Sequence, residues 1–315
     1  MNCSTKLDYL RLSVTDRCNL RCIYCIPEDG FVHKPHGEIL TFEEIIRITK
    51  IFVSLGIRKI RLTGGEPLTR KGIIDLVKSL SQTEGLEDLC MTTNATLLSS
   101  YAKELKTAGV KSINISIDTL NREKFKKITG NDSLYSVLEG IEKSKELGFY
   151  PLKLNVVIMK GVNDDEIVDF VNFAKEKGLI LKFIEFMKVT PLWKERLFVP
   201  IEEIKDICHK EFGLQRTEYK SSGPADYYQL DGMFIGFIAT LEQNCRMCSR
   251  LRLTSTGELK LCLYHPNGLS LKKPLRGGLN DMRLKEIIKG SIASKYTIDY
   301  RQWETPRSYI CSVGG

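Results

Sequence analysis

Hydrophobic and polar positions along the chain follow two alternating rhythms. Short β-branched runs occur at YLRLSVTD from Tyr9, KIRLTGG from Lys59, EDLCMTTN from Glu87, VKSINISID from Val110, LKLNVVIMKG from Leu152 and ILKFIEFM from Ile180. Each predicts a strand. Between them lie segments with helical spacing. TFEEIIRITKIFVSLG opens on a Thr41/Glu44 capping-box signature and closes at Gly56, and SSYAKELKTAGV and DDEIVDFVNFAKEKGL run to glycines at Gly109 and Gly178. Six βα units in series predict an α/β fold with a parallel sheet, either an incomplete (βα)6 TIM-like barrel or an open, doubly wound sheet.

After Met187 the rhythm breaks. VTPLWKERLFVP carries two prolines, IEEIKDICHKEFG reads as one more helix, and SSGPAD reads as a linker. From Tyr227 the runs are short and turn-rich, with a hairpin expected around Thr256-Gly257 and a last helix near DMRLKEIIKG. The pattern predicts a barrel domain over 1–225 and a smaller C-terminal domain over 226–315.

Composition narrows the class. With 42% hydrophobic and 27% charged residues the chain has ordinary globular usage, which excludes disordered, collagen-like and coiled-coil proteins. No apolar run approaches the roughly 18–20 residues of a membrane span, and MNCSTKLDYL lacks a secretory apolar stretch, so a cytoplasmic protein away from membranes is expected. The 47 basic and 39 acidic residues leave a net charge of +8, which suits an anionic ligand. Acidic residues are interspersed throughout and no aromatic-basic recognition module is present, so no nucleic-acid partner is expected. Ten cysteines in a reducing compartment point to metal or redox chemistry where they cluster.

They cluster twice. In CNLRCIYC, Cys18, Cys22 and Cys25 follow the first strand, and one irregular loop can turn three thiolates onto three corners of an iron–sulfur cluster, leaving one iron open. In CRMCSRLRLTSTGELKLC, Cys245 and Cys248 precede a hairpin pattern that could carry Cys262 back beside them. A zinc site completed by His33 or His36, or by His265 at the second triplet, stays open on spacing alone. Cys3, Cys90, Cys208 and Cys311 have no such partners, and Cys90 and Cys208 read as buried core thiols.

CNLRCIYC, with Tyr24 before its last cysteine, and GGEP from Gly64 to Pro67 after the second strand together resemble the radical S-adenosylmethionine (SAM) enzymes. More narrowly, LRLSVTDRCNLRCIYC, RLTGGEPLTR, MTTN, INISID, KLNVVIMKGVND, FIEFM, the second triplet with CSRLRL and the terminal Gly314-Gly315 are similar to the GTP 3′,8-cyclase family of molybdenum-cofactor synthesis. The resemblance implies two 4Fe-4S clusters, on Cys18, Cys22 and Cys25 and on Cys245, Cys248 and Cys262. It implies SAM at the first cluster, beside Tyr24, Gly65, Ser116 and Met187. It also implies GTP as substrate, held by Arg11, Arg61, Thr92, Lys153, Arg250, Leu251 and Arg252. An external one-electron reductant and a downstream cyclic pyranopterin monophosphate synthase are the implied partners, with a homodimer left open. Four arginines and a lysine suit a triphosphate independently, because guanidinium binds phosphate oxygens bidentately. One departure concerns Ala95, where the family continues TTN with glycine and a positive-φ turn is less comfortable. The Gly-Gly end reads either as a frayed terminus or as a segment slim enough to enter the active site. The rival readings are another twin-cluster radical SAM enzyme acting on a peptide or other small molecule, and a zinc-ribbon nucleic-acid binder.

Overall fold

The computed structural model describes residues 7–221, 223–239, 248–264, 268–295 and 309–314. Side chains alternate across a strand, and β1 (Tyr9–Ser13) shows what that alternation does here. Leu10 and Leu12 are buried in an apolar layer shared with the helices, while Tyr9, Arg11 and Ser13 occupy the opposite face. Strands β2 (Lys59–Thr63), β3 (Asp88–Thr93), β4 (Ser112–Ser116), β5 (Leu152–Ile158) and β6 (Ile180–Glu185) add in parallel and in order. Their register places Arg11 beside Arg61, Thr92 beside Asn114 and Asn114 beside Lys153, and Ser116 beside Asn155 and Asn155 beside Lys182. One face of the sheet therefore carries rows of polar side chains. The other face, with Ile60, Leu62, Ile113, Ile115, Leu154, Leu181 and Phe183, is sealed by the helices.

The crossovers are α1 (Phe42–Ser54), α2 (Ile73–Ser81), α3 (Leu98–Thr107), α4 (Arg122–Thr129), α5 (Leu134–Glu146) and α6 (Ile167–Lys177). α1 starts on the expected capping box: the Thr41 hydroxyl accepts from the Glu44 N–H at 3.2 Å and the Glu44 carboxylate accepts from the Thr41 N–H at 2.8 Å. Gly56, at φ +106°, lies just past the last helical turn. Helices α2, α4 and α5 come in addition to those singled out from the sequence.

The sheet is curled. Lys182 on β6 feels the charges of Arg61 on β2 and Arg11 on β1, whereas five flat steps of about 4.8 Å would separate β1 from β6 by about 24 Å. The polar face thus lines the lumen of an incomplete barrel.

After α7 (Ile201–Phe212) come β7 (Gln215–Arg216), β8 (Asp226–Leu230), β9 (Met233–Ile238), β10 (Arg250–Leu253), β11 (Glu258–Lys260) and β12 (Leu269–Ser270), then α8 (Lys272–Arg276), α9 (Asp281–Ala293) and α10 (Ile310–Val313). β9 pairs in parallel with β6 and forms a hairpin with β8 across Asp231-Gly232, at φ +46° and +84°. β10 pairs in parallel with β1, and β11 returns antiparallel through the expected Thr256-Gly257 turn. Strands from both sides of the 225/226 position extend one sheet, in the order β12-β11-β10-β1-β2-β3-β4-β5-β6-β9-β8-β7. Among the described residues no helix is long and apolar enough to cross a membrane.

Candidate active site

The first thiol triplet lies in the loop leaving the C-terminal end of β1, and GGEP is stitched to it. Gly65 N–H donates to the Thr15 carbonyl at 2.8 Å and Glu66 N–H to the Arg17 carbonyl at 2.7 Å. A Cβ on Gly65 would stand 2.2 Å from the Arg17 carbonyl oxygen, so only glycine allows this approach. GGEP is therefore more than a strand-ending turn. Glu66, 1% exposed, accepts from Leu68 N–H at 3.0 Å, the Thr93 hydroxyl at 2.8 Å and Asn94 N–H at 2.7 Å. Its burial pushes the carboxyl up to about 7. Asn94 in turn donates to the Cys18 sulfur at 3.6 Å, as Leu20 N–H does at 3.4 Å. Ala95 adopts φ +61°, the left-handed region that costs a non-glycine residue about 1–2 kcal/mol. The expected discomfort is real, and full burial with a 2.9 Å bond from its N–H to the Thr93 hydroxyl holds it there.

Burial pushes the Cys18 thiol up to about 11 and raises Cys22 well above its ordinary value, while Cys18 adds to the rise at Cys22, and Cys22 and Cys18 add to that at Cys25. Buried thiols crowded in this way ionise only against a local positive charge. N–H donors already aimed at Cys18 and the soft thiolate set fit an iron–sulfur cluster. Cys311 corrects the sequence reading: far from lacking partners, it lies in α10 against this loop, its sulfur 3.9 Å from the Cys25 carbonyl oxygen. Its hydrogen bond to Cys25, with burial, raises the Cys25 thiol further.

Tyr24 donates its hydroxyl to Asp118 at 2.6 Å, and its ring meets Phe186 edge-on at 6.3 Å. Burial brings Asp118 up to about 6. Ser116 ends β4 and Met187 follows β6, both half-buried on the same rim as the first triplet.

Below that rim the lumen is basic. Arg61 donates to the Tyr9 hydroxyl and to the Met91 carbonyl, both at 2.8 Å. Burial, then Arg61 and Lys59, lower Lys153 to about 8, and burial with the same neighbours drives Lys182 well below its ordinary value. Burial, then Arg11 and Arg250, lower Arg252 to about 9. Cations crowded together out of water are the common cause of these shifts. The Thr92 and Thr63 hydroxyls and the side-chain oxygens of Asn114 and Asn155 are buried without a hydrogen-bond partner among the described residues, which suits a polar ligand. Cys90 is buried as expected but faces this polar lumen, donating to Asp88 at 2.9 Å and accepting from Ser112 at 3.2 Å. Cys208 is a true core thiol on α7, pushed by burial to about 12.

Of the second triplet, Cys248 and Cys262 lie at the opposite rim, just before β10 and just after β11. Cys245 lies outside the described residues, as do Cys3, His265 and Gly315. Arg252 pairs with Lys260 across the β10/β11 hairpin, Cys262 follows β11 two residues later, and Cys248 precedes β10 and is hydrogen-bonded by Arg250. Burial pushes the Cys248 thiol up, but Arg250 and Lys295 outweigh it and hold it below the ordinary value. A thiolate-favouring setting fits a second cluster. Leu251, between the two arginines, faces the apolar layer, leaving only its backbone for a ligand.

The tail enters the lumen between the rims. Gly314, at φ +76°, accepts at its carbonyl from Arg11 at 3.3 Å and from Arg252 at 3.2 Å. A Cβ there would lie 2.6 Å from the Thr63 hydroxyl and 3.1 Å from Ser13 Cβ.

The Radical SAM superfamily model matches residues 12–174 and the Molybdenum Cofactor Synthesis C model residues 179–299. The SuiB enzyme of Streptococcus suis, solved bound to S-adenosylmethionine, is similar in fold, with a TM-score of 0.60 at 17% identity over 82% of this chain and 61% of that one, so this chain spans less than two thirds of its length. The fold and site define a radical SAM enzyme. Curated GTP 3′,8-cyclases are similar across nearly the whole chain: that of Thermodesulfovibrio yellowstonii is 46% identical over 93% of both chains, and that of Desulforamulus reducens 42% identical over 100% of this chain and 99% of its own. The chain belongs to the GTP 3′,8-cyclase family, radical SAM enzymes of molybdenum-cofactor synthesis that carry two 4Fe-4S clusters.

Sequence reading missed Lys182, Glu66 and Asp118. A polar residue at every second position of an otherwise apolar strand, as at Lys59, Arg61 and Thr63, signals a polar lumen; Lys182, flanked at that spacing by Ile180 and Ile184, carries no such signal.

Proposed function

We propose that this chain joins C3′ of the GTP ribose to C8 of its guanine, with SAM held at the first-triplet rim and the nucleotide spanning the basic lumen toward the second. The observation that carries the reading is the location of Cys18, Cys22 and Cys25 at one rim, and of Cys248 and Cys262 at the other, of one lumen lined by Arg11, Arg61, Lys153, Lys182 and Arg252. When bound, the first cluster supplies the electron that cleaves SAM to a 5′-deoxyadenosyl radical.

The chain's own residues bind and orient. Gly65 N–H is committed to Thr15, so the carbonyl is what Gly65 offers the SAM ammonium. Tyr24, anchored through Asp118, presents its ring to the adenine, with Ser116 and Met187 completing the pocket. Arg11, Arg61, Lys153, Lys182 and Arg252 take the triphosphate, charged donors for which phosphate substitutes for water. Thr92 offers an unpartnered hydroxyl to the nucleotide, and Arg250 and the Leu251 backbone lie where the purine would meet the second cluster. The helical tail, held at Gly314 by Arg11 and Arg252, narrows the lumen between the rims. Residues 226–315 act as the module that adds this second rim. The reading includes a cytoplasmic setting, an external one-electron donor, and a cyclic pyranopterin monophosphate synthase that consumes the product.

Anaerobically prepared protein should contain about eight irons with matching sulfide, and alanine at Cys18, Cys22 and Cys25 should leave about four. The triple variant should lose SAM cleavage, whereas Cys248→Ala should retain some cleavage and lose GTP conversion. Stoichiometric zinc without labile sulfide, or full GTP conversion by Cys248→Ala, would refute the assignment.

A further inference from the structure

Lys295 follows α9 and is 2% exposed. Its ammonium donates to the carbonyl of Leu261, the residue preceding Cys262. It reaches the second-triplet rim from the helical side, whereas Arg250 and Arg252 reach it from the lumen strand β10. We infer that Lys295 is a positioning residue for the second iron–sulfur cluster, fixing the strand that carries Cys262 and supplying a buried positive charge that favours the reduced cluster.

The inference rests on the reading of Cys245, Cys248 and Cys262 as cluster ligands. A 4Fe-4S core of charge about +2 with three thiolates has a net charge of about −1, and reduction by one electron takes it to about −2. A fixed cation held against the residue that precedes Cys262 therefore stabilises the reduced form more than the oxidised one, and cluster potentials respond to local charge and hydrogen bonds. The bond to Leu261 gives a second, purely geometric part: it pins the backbone one residue before Cys262.

The two parts separate by substitution. In the full-length chain with Cys18, Cys22 and Cys25 changed to alanine, only the second cluster remains, so iron content, electron paramagnetic resonance and an anaerobic redox titration read that cluster alone. Lys295→Gln keeps a donor for the Leu261 carbonyl without the charge, Lys295→Arg keeps the charge, and Lys295→Met removes both. The expected result is a midpoint potential shifted negative in Lys295→Gln and Lys295→Met and close to the parent in Lys295→Arg, with faster loss of iron to a chelator in Lys295→Met. If Lys295→Met does not fold, the Gln and Arg variants decide the matter. A parent-like potential in an iron-replete Lys295→Gln overturns the inference and leaves the cluster reading standing. A parent that holds no iron overturns the cluster reading, and the inference with it.

Discussion

Replacing Gly314 by alanine probes the tail at the place where the structure leaves no room. Two costs add. The residue sits at φ +76°, which an L-residue with a Cβ reaches at about 1–2 kcal/mol. The new methyl would then lie 2.6 Å from the Thr63 hydroxyl and 3.1 Å from Ser13 Cβ. The hydroxyl can rotate away but Ser13 Cβ is fixed to β1, so the overpacking cost falls near the low end of about 1–3 kcal/mol. Together the docked tail loses about 2–4 kcal/mol, and at 1.4 kcal/mol per factor of ten its population relative to the undocked tail falls at least about 30-fold. The strain is relieved by releasing a short terminal segment, so the barrel and both clusters should survive. Hydrogen exchange over residues 309–314 should accelerate, iron content should not change, and single-turnover GTP cyclisation should drop by at least tenfold. Thr63→Ala in the same chain removes the nearest clash and should recover part of the loss, giving a measurable coupling. Wild-type cyclisation and unchanged exchange in Gly314→Ala would refute the reasoning and return the tail to a frayed terminus.

Three further outcomes follow from the site. Arg250→Ala should weaken GTP binding by about tenfold to a hundredfold, the loss of a charge-assisted contact worth about 1.5–3 kcal/mol, with Arg250→Lys an incomplete rescue, both read by calorimetry. Lys153 is held at about 8 by burial and its cationic neighbours, and phosphate favours its charged form, so GTP affinity should fall as pH rises through 8 and Lys153→Met should flatten that dependence. In the substrate-free protein the same shift has the opposite sign for stability: between about 8 and the unfolded value near 10.4 the unfolded chain binds more protons, so this group's contribution rises with pH across that window. Glu66→Ala removes three accepted hydrogen bonds in one buried knot and should destabilise by about 2–4 kcal/mol in denaturant unfolding, with Glu66→Gln milder.

Much of the fold was legible because the information is local. The six barrel strands, the Thr41/Glu44 capping box and the Thr256-Gly257 hairpin each announce themselves within a few residues. The return of β10 to pair with β1 could not be read, because parallel pairing of Tyr9 with Arg250 leaves no turn signal between distant segments. That unread pairing decides which rim carries the second triplet. Cys311 was missed for the same reason: α10 meets the first-triplet loop only after the whole barrel has formed. Leu251 shows the converse, a motif residue whose alternation with Arg250 and Arg252 already implies that its side chain faces away from the lumen.

The most direct test of the central claim follows hydrogen. Closing a bond between C3′ and C8 requires that the C3′ hydrogen leave, and the only acceptor in the account is the 5′-deoxyadenosyl radical. Anaerobic turnover of GTP deuterated at C3′, analysed by mass spectrometry, should give 5′-deoxyadenosine carrying one deuterium in proportion to a 3′,8-cyclised nucleotide. Unlabelled 5′-deoxyadenosine with GTP recovered intact would contradict the assignment of GTP as the substrate of this lumen.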